Sequence, residues 1–257
     1  REKEREIERL PSRAAIHEPA PLPRRSVRDA LRREHGQPLR LIAEIKRRSP
    51  SAGALSTALS VAERALAYAK GGAAMISVLC DARFFDGGFH HLREARDALD
   101  AAGLATPLLA KEFVLDERQI DEARRCGADS VLLIARIVDE ARLVRLHAHA
   151  VSVGLEPLVE VVTEEELAAA LAAGAPILGV NARDLDTLVM DLPRAARVRD
   201  AIPPDRISVH LSGLKDPAAV ATVARSSTDA ALVGEALMRL GDPAPLLAAM
   251  VSAAAAS

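Results

Sequence analysis

A chain of 257 residues that is 49% hydrophobic can bury most of its apolar surface in one domain, and this is the ordinary size of a closed α/β barrel. Its net charge of -2 supplies no long-range pull toward nucleic acid or a membrane, aromatics at 2% with no Trp argue against a base-stacking platform, and no apolar run of about 18 residues or more is present to span a bilayer. The two cysteines, Cys80 and Cys126, match no zinc spacing and are expected to be reduced, in a cytoplasmic protein.

Residues 1–40 read as a separate unit. Arg1–Leu10 is charged and helix-like, and it lacks the apolar core of a signal peptide. A proline-rich link with Pro19, Pro21 and Pro23 leads to a second helix-like piece, Ser26–Glu34. This leader is too polar to form a core alone and is expected to lie against the main domain. From Leu41 onward the pattern is regular. Short apolar runs occur at Leu41–Ile45, Met75–Leu79, Pro107–Ala110, Ser130–Ile134, Pro157–Val161, Ile177–Val180, Arg206–His210 and Ala230–Val233. Each is too short for a typical helix and is bounded by Gly, Pro or charge. Ala- and Leu-rich stretches with helical spacing lie between them, such as Val61–Lys70, Glu117–Arg125, Glu164–Ala173 and Pro217–Arg225. The glycines at Gly71-Gly72, Gly127 and Gly174 suit helix ends, where the left-handed conformation is common. Strand then helix, repeated in this way, demands parallel pairing through right-handed crossovers. The pattern predicts a (β/α)8 barrel over residues 41–257 with an N-terminal helical extension. An open doubly wound sheet is the alternative. The complete set of eight units and the missing dinucleotide fingerprint favour the barrel.

In such a barrel the chemistry sits at the C-terminal ends of the strands. The first run ends Glu44-Ile45-Lys46, and residues i and i+2 of a strand share a face, so an acid and a base point the same way. The third run ends at Lys111, the fifth carries Glu160, and the sixth is followed by Asn181 and Arg183. Ser212-Gly213 follows the seventh run and Gly234-Glu235 the eighth. Any one of these, taken alone, reads as a solvated strand end. Together at one rim they point to an anionic substrate and proton transfer. The glycines after the last two runs suit a phosphate: they let backbone N–H groups approach an anion near a helix start. Simple turn glycines are the plainer reading. Cys80 and Cys126 read as small packing residues rather than nucleophiles. His90 and His91 read as a loop or helix start rather than a metal pair, because adjacent residues diverge on any regular element.

These residues resemble the indole-3-glycerol phosphate synthase family, and the likeness runs from about Leu41 to Arg239. It rests on Ile42-Ala43-Glu44-Ile45-Lys46-Arg47-Arg48-Ser49-Pro50-Ser51-Ala52-Gly53, on Phe85-Asp86-Gly87-Gly88, and on Lys111-Glu112-Phe113. It continues through Leu158-Val159-Glu160-Val161, Gly179-Val180-Asn181-Ala182-Arg183-Asp184-Leu185 and Leu232-Val233-Gly234-Glu235-Ala236-Leu237-Met238. The resemblance implies ring closure of a carboxyphenylamino-deoxyribulose phosphate to indole-3-glycerol phosphate, carbon dioxide and water, with no metal or organic cofactor. It implies that Glu44, Lys46, Lys111, Glu160, Asn181 and Ser212 are catalytic, with Lys111 as general acid. Ser49, Phe85, Phe113, Arg183, Gly213, Gly234 and Glu235 are implied to hold the substrate and its phosphate. Residues 1–40 are then expected to cover the barrel mouth. The partners expected are a small phosphorylated substrate, no nucleic acid and no membrane, for a monomer or weak homo-oligomer.

One position departs sharply from the family pattern. Glu-Ser-Gly is usual after the seventh strand, and here the chain reads Leu211-Ser212-Gly213. Leucine carries no charge and accepts no hydrogen bond, so a partner lysine loses support for its charged form. Three readings stay open at this point: a synthase that tolerates the change, a paralogue acting on a related anionic substrate, and a ligand-binding barrel without catalysis. The neighbouring isomerase of the same pathway, expected to carry a cysteine on its first strand, fits less well, since this strand has none.

Overall fold

The computed structural model describes residues 2–10, 25–50, 53–183 and 189–255. The proline-rich link at Pro19, Pro21 and Pro23, the Ser51-Ala52 portion of the first signature, and Asp184-Leu185 lie outside the described residues.

Eight parallel strands close on themselves: β1 (Arg40–Ile45), β2 (Met75–Leu79), β3 (Leu108–Lys111), β4 (Ser130–Ile134), β5 (Leu158–Val161), β6 (Ile177–Val180), β7 (Ile207–His210) and β8 (Ala230–Val233). Closure is made by β1, which pairs Glu44 with Ser77 on β2 and Ala43 with Val233 on β8. The strands are buried on both faces, and that is why they read as unbroken apolar runs. Inside the barrel, Ile42, Met75, Leu109, Leu132, Leu158, Ile177 and Ile207 form one core. Outside it, a second core fills the space under the helices.

Helices follow the strands with side-chain caps already written in the sequence. Ser60 and Glu63 form a reciprocal capping box at α3 (Val61–Lys70), and Asp116 and Gln119 form another at α6 (Glu117–Arg125). Thr163 caps α8 (Glu164–Ala172). Gly72, Gly127 and Gly174 take the left-handed conformation at helix ends, whereas Gly71 does not.

The leader is divided between the two ends of the barrel. Helix α1 (Glu2–Glu8) lies by the mouth, where Lys3 reaches Glu112 beyond β3. Helix α2 (Val27–Leu31) lies at the opposite end. Its Val27 and Leu31 are fully buried in the inner core, and Arg32 donates to the carbonyls of Asp205 and Arg206 just ahead of β7. The expectation that the whole leader covers the mouth is therefore corrected for α2. The open lower end of the barrel is apolar, and burying two aliphatic side chains there is worth about 1.5–3 kcal/mol each.

Candidate functional site

At the C-terminal ends of the strands lies a cavity of about 670 Å³. Each candidate catalytic and binding residue lines it: Glu44, Lys46 and Ser49 from β1 and beyond, Phe85 after β2, Lys111 and Phe113 at β3, Glu160 on β5, Asn181 and Arg183 after β6, Ser212 and Gly213 after β7, and Gly234 and Glu235 after β8. Closure of the sheet brings these distant segments to one rim.

The centre of the site is a single carboxylate held between two lysines. Glu44 is 2% exposed; its Oε1 lies 2.7 Å from Lys46 Nζ and its Oε2 lies 2.7 Å from Lys111 Nζ. Burial would raise the Glu44 pKa, but Lys111 and Lys46 outweigh it and hold the carboxyl at about 2. For Lys111, burial works to lower the pKa, yet the carboxylates of Glu44 and Glu160 prevail and keep it above its ordinary value. Lys111 thus keeps its proton at neutral pH. Glu160 moves the other way from Glu44: burial pushes its pKa up, only partly offset by Lys111 and by the amide of Asn181, which donates to Glu160 at 2.9 Å. Two carboxylates in one cavity are therefore tuned apart, and Glu160 takes up a proton more readily than Glu44.

Gly234 has a steric reason that the sequence does not reveal. A Cβ at this position would lie 2.3 Å from Glu44 Oε1, so only glycine leaves room for the buried carboxylate. The residues after β6 and β7 fix one another: the Ser212 hydroxyl accepts from the Ala182 amide at 3.1 Å, and Asn181 Oδ1 accepts from the Arg183 amide at 3.0 Å. Gly213 has a φ of +92°, a conformation that L side chains rarely adopt. The helix start after β7 is already filled, because the Asp216 carboxylate caps α10 (Pro217–Ala224) through the Ala219 amide at 2.8 Å. After β8, α11 (Glu235–Met238) is a single short turn. Glu235 turns its carboxylate to Arg239 at 2.7 Å, so an anion here would meet its backbone rather than its side chain. Cationic side chains on this arc are Arg183, Lys215 and Arg239, the last of them paired with Glu235. Lys215 was missed as a site residue because its segment reads simply as a turn.

Phe85 and Phe113 stand together across the rim with ring centroids 6.3 Å apart. Leu211, where a glutamate would be expected, is 5% exposed and lines the same cavity. It packs into the space left by Gly179, where an added Cβ would lie 2.5 Å from Leu211 Cδ1. Lys46 finds no acid at 211 and pairs with Glu44. Cys80 and Cys126 are buried and unbridged. Burial pushes the Cys80 thiol well up and the Cys126 thiol to about 11, the behaviour of packing residues. His90 and His91 lie in the first turn of α5 (Phe89–Ala101), with His91 Nε2 3.3 Å from Arg47.

A family model described as indole-3-glycerol phosphate synthase matches residues 1–249. The indole-3-glycerol phosphate synthase of a Nocardioides species is 47% identical over 203 residues, covering 79% of this chain and 76% of its own. That of Mycobacterium leprae is 42% identical over 240 residues, covering 93% and 84%. Among solved structures, 3-hexulose-6-phosphate synthase from Salmonella typhimurium superposes with a TM-score of 0.65 at 14% identity, over 84% of this chain and 98% of that one. Thiamine phosphate pyrophosphorylase from Pyrococcus furiosus gives 0.63 at 17%, over 84% and 95%. At that identity these two speak for the barrel fold alone. Among the described residues, no helix is long and apolar enough to cross a membrane.

Proposed function

The chain belongs to the indole-3-glycerol phosphate synthase family, and from that premise we propose how its own residues carry the reaction. The reaction closes the ring of 1-(2-carboxyphenylamino)-1-deoxyribulose 5-phosphate and releases carbon dioxide and water, giving indole-3-glycerol phosphate. It is a carboxy-lyase step of tryptophan biosynthesis.

In the first step the ring carbon bearing the carboxylate attacks the ketone, and the carbonyl oxygen takes the proton of Lys111. The ion pair with Glu44 suits Lys111 to this task, since it keeps the proton in place until the oxygen becomes basic. A positioned acid of this kind contributes about 10²–10⁴-fold. Carbon dioxide then leaves, and Glu160 stabilises the positive charge on the substrate nitrogen or takes its proton. The hydroxyl formed in the first step departs as water, with Lys46 as acid and Glu44 as base. Lys46 also pairs with the substrate carboxylate before it is lost. Asn181 and Ser212 hold the ligand by hydrogen bonds. Ser49, Arg183, Lys215 and the backbone at Gly213, Gly234 and Glu235 hold the phosphate end. Phe85 and Phe113 flank the aromatic ring. The partner is a small phosphorylated molecule rather than nucleic acid or a membrane, and the protein works in the cytoplasm as a monomer or weak homo-oligomer.

The observation that carries this reading is the Lys46–Glu44–Lys111 chain inside one cavity. A pure binding protein has no need of two lysines poised on one dry carboxylate. The test is incubation with the carboxyphenylamino substrate, following indole fluorescence and carbon dioxide. Both products are expected in equal amounts. Tight binding without either would contradict the catalytic reading.

A further inference from the structure

Two buried carboxylates stand side by side at the mouth and take no part in the proton chemistry. Asp81 follows β2 and its side chain is 1% exposed; Glu112 follows β3 and its side chain is 4% exposed. The two strands are neighbours, with Leu79 paired to Lys111, so the acids sit on adjacent strand ends. Like charges so placed repel one another in a dry site. Each also organises the backbone that follows it. Asp81 caps α4 (Ala82–Phe85) through the Phe84 amide, and Glu112 accepts from the Phe113 amide at 2.7 Å. The loops they organise carry the aromatic wall, with Phe84 and Phe85 on one side and Phe113 on the other.

The cation between them comes from the far end of the chain. Lys3 Nζ on α1 lies 2.9 Å from Glu112 and 3.5 Å from Asp81, with Glu6 of its own helix at 2.6 Å. Among the described residues no other Lys, Arg or His is paired with Asp81 or Glu112. The buried Ile7, 5% exposed, anchors the same helix. Burial pushes the Glu112 carboxyl up, and Lys3 opposes this shift.

We propose that Lys3 is a positioning residue that clamps the loops after β2 and β3 together, so that Phe85 and Phe113 form the wall against which the substrate's aromatic ring is held. This rests on the ring-closure reading for its substrate, but the clamp itself is a property of the free protein. Without the clamp, the two carboxylates push the loops apart and the wall is formed only part of the time. Apparent affinity then falls by the fraction of time the wall is absent, while the chemistry of bound substrate is left intact. A wall formed one-tenth of the time raises KM about tenfold.

The test compares the full chain with Lys3→Met and Lys3→Arg. Lys3→Met is expected to raise KM about tenfold with kcat within about twofold of the parent, and Lys3→Arg to restore KM. In the absence of substrate, hydrogen exchange of Lys3→Met is expected to quicken at residues 82–88 and 113–116 and to stay unchanged in the barrel strands. Unchanged KM and unchanged exchange in both loops would overturn the clamp. So would a uniform loss of protection across the barrel, which marks a merely structural contact. If the parent fails to turn over the substrate, the reaction reading falls, and the exchange measurement still decides the clamp.

Discussion

Two arcs of the barrel mouth face each other across the same cavity. The arc from β1 to β5 carries Glu44, Lys46, Lys111 and Glu160, all interacting within one charged cluster. The opposite arc includes Leu211, Leu214 and Leu232, all nearly inaccessible. The charged arc shows that a buried carboxylate stays ionised when two cations share it, since they outweigh the upward pull of burial on its pKa. The leucines back the cluster with apolar surface, where a lower effective dielectric strengthens the pairs opposite, while Arg183 and Lys215 elsewhere on the same arc bring positive charge for an anion. Leu211 offers the lysines no acid, and Glu44 serves both of them.

The comparison is broken most severely by emptying the charged arc. Lys111→Met should lower kcat by about 10²–10⁴-fold, measured by indole fluorescence, with the fold intact by circular dichroism. A loss below tenfold would place the general acid elsewhere. Next in size is the packing of the apolar arc. Gly179→Ala forces a methyl against Leu211 and Leu158 and should cost about 1–3 kcal/mol in denaturant unfolding. Combined with Leu211→Ala, its cost should be less than additive, since the two side chains compete for one space. Smallest is the effect of turning one arc into the other. Leu211→Glu offers Lys46 a second acid and should raise turnover by about 2- to 10-fold. No gain, or a loss, would mean that the apolar wall is itself required and that the site is fitted to a different anionic substrate.

Much of the charged arc was legible because strand alternation and barrel topology are local rules applied repeatedly. Glu44 and Lys46 follow from a two-residue spacing, and Lys111, Glu160 and Asn181 from their places at strand ends. The apolar runs marked all eight strands, with boundaries shifted by about one residue where Pro107, Pro157 and Arg206 stand outside the ladder. What the sequence withheld depends on contacts between distant segments. Gly234 read as a phosphate turn, and its clearance for Glu44 appears only when β8 lies beside β1. The leader read as one mouth-covering unit, yet Val27 and Leu31 find their apolar surface at the other end of the barrel. Lys3 read as one charge among many in a charged helix, and its meaning depends on Asp81 and Glu112 more than 70 residues away in sequence. The glycine after the seventh run read as suited to a phosphate near a helix start, and the Asp216 carboxylate proves to occupy that helix start itself.

The shared carboxylate is tested most directly by the pH dependence of kcat/KM in the parent and in Glu44→Gln. Lys111 is held above its ordinary pKa by the charges of Glu44 and Glu160 against the pull of burial. Removing the Glu44 charge leaves burial less opposed, so the lysine should lose its proton more easily. The alkaline limb of the profile is therefore expected to move to lower pH in Glu44→Gln, alongside a lower plateau. A limb that stays where the parent has it would contradict the claim that Glu44 keeps Lys111 charged for the ring-closing step.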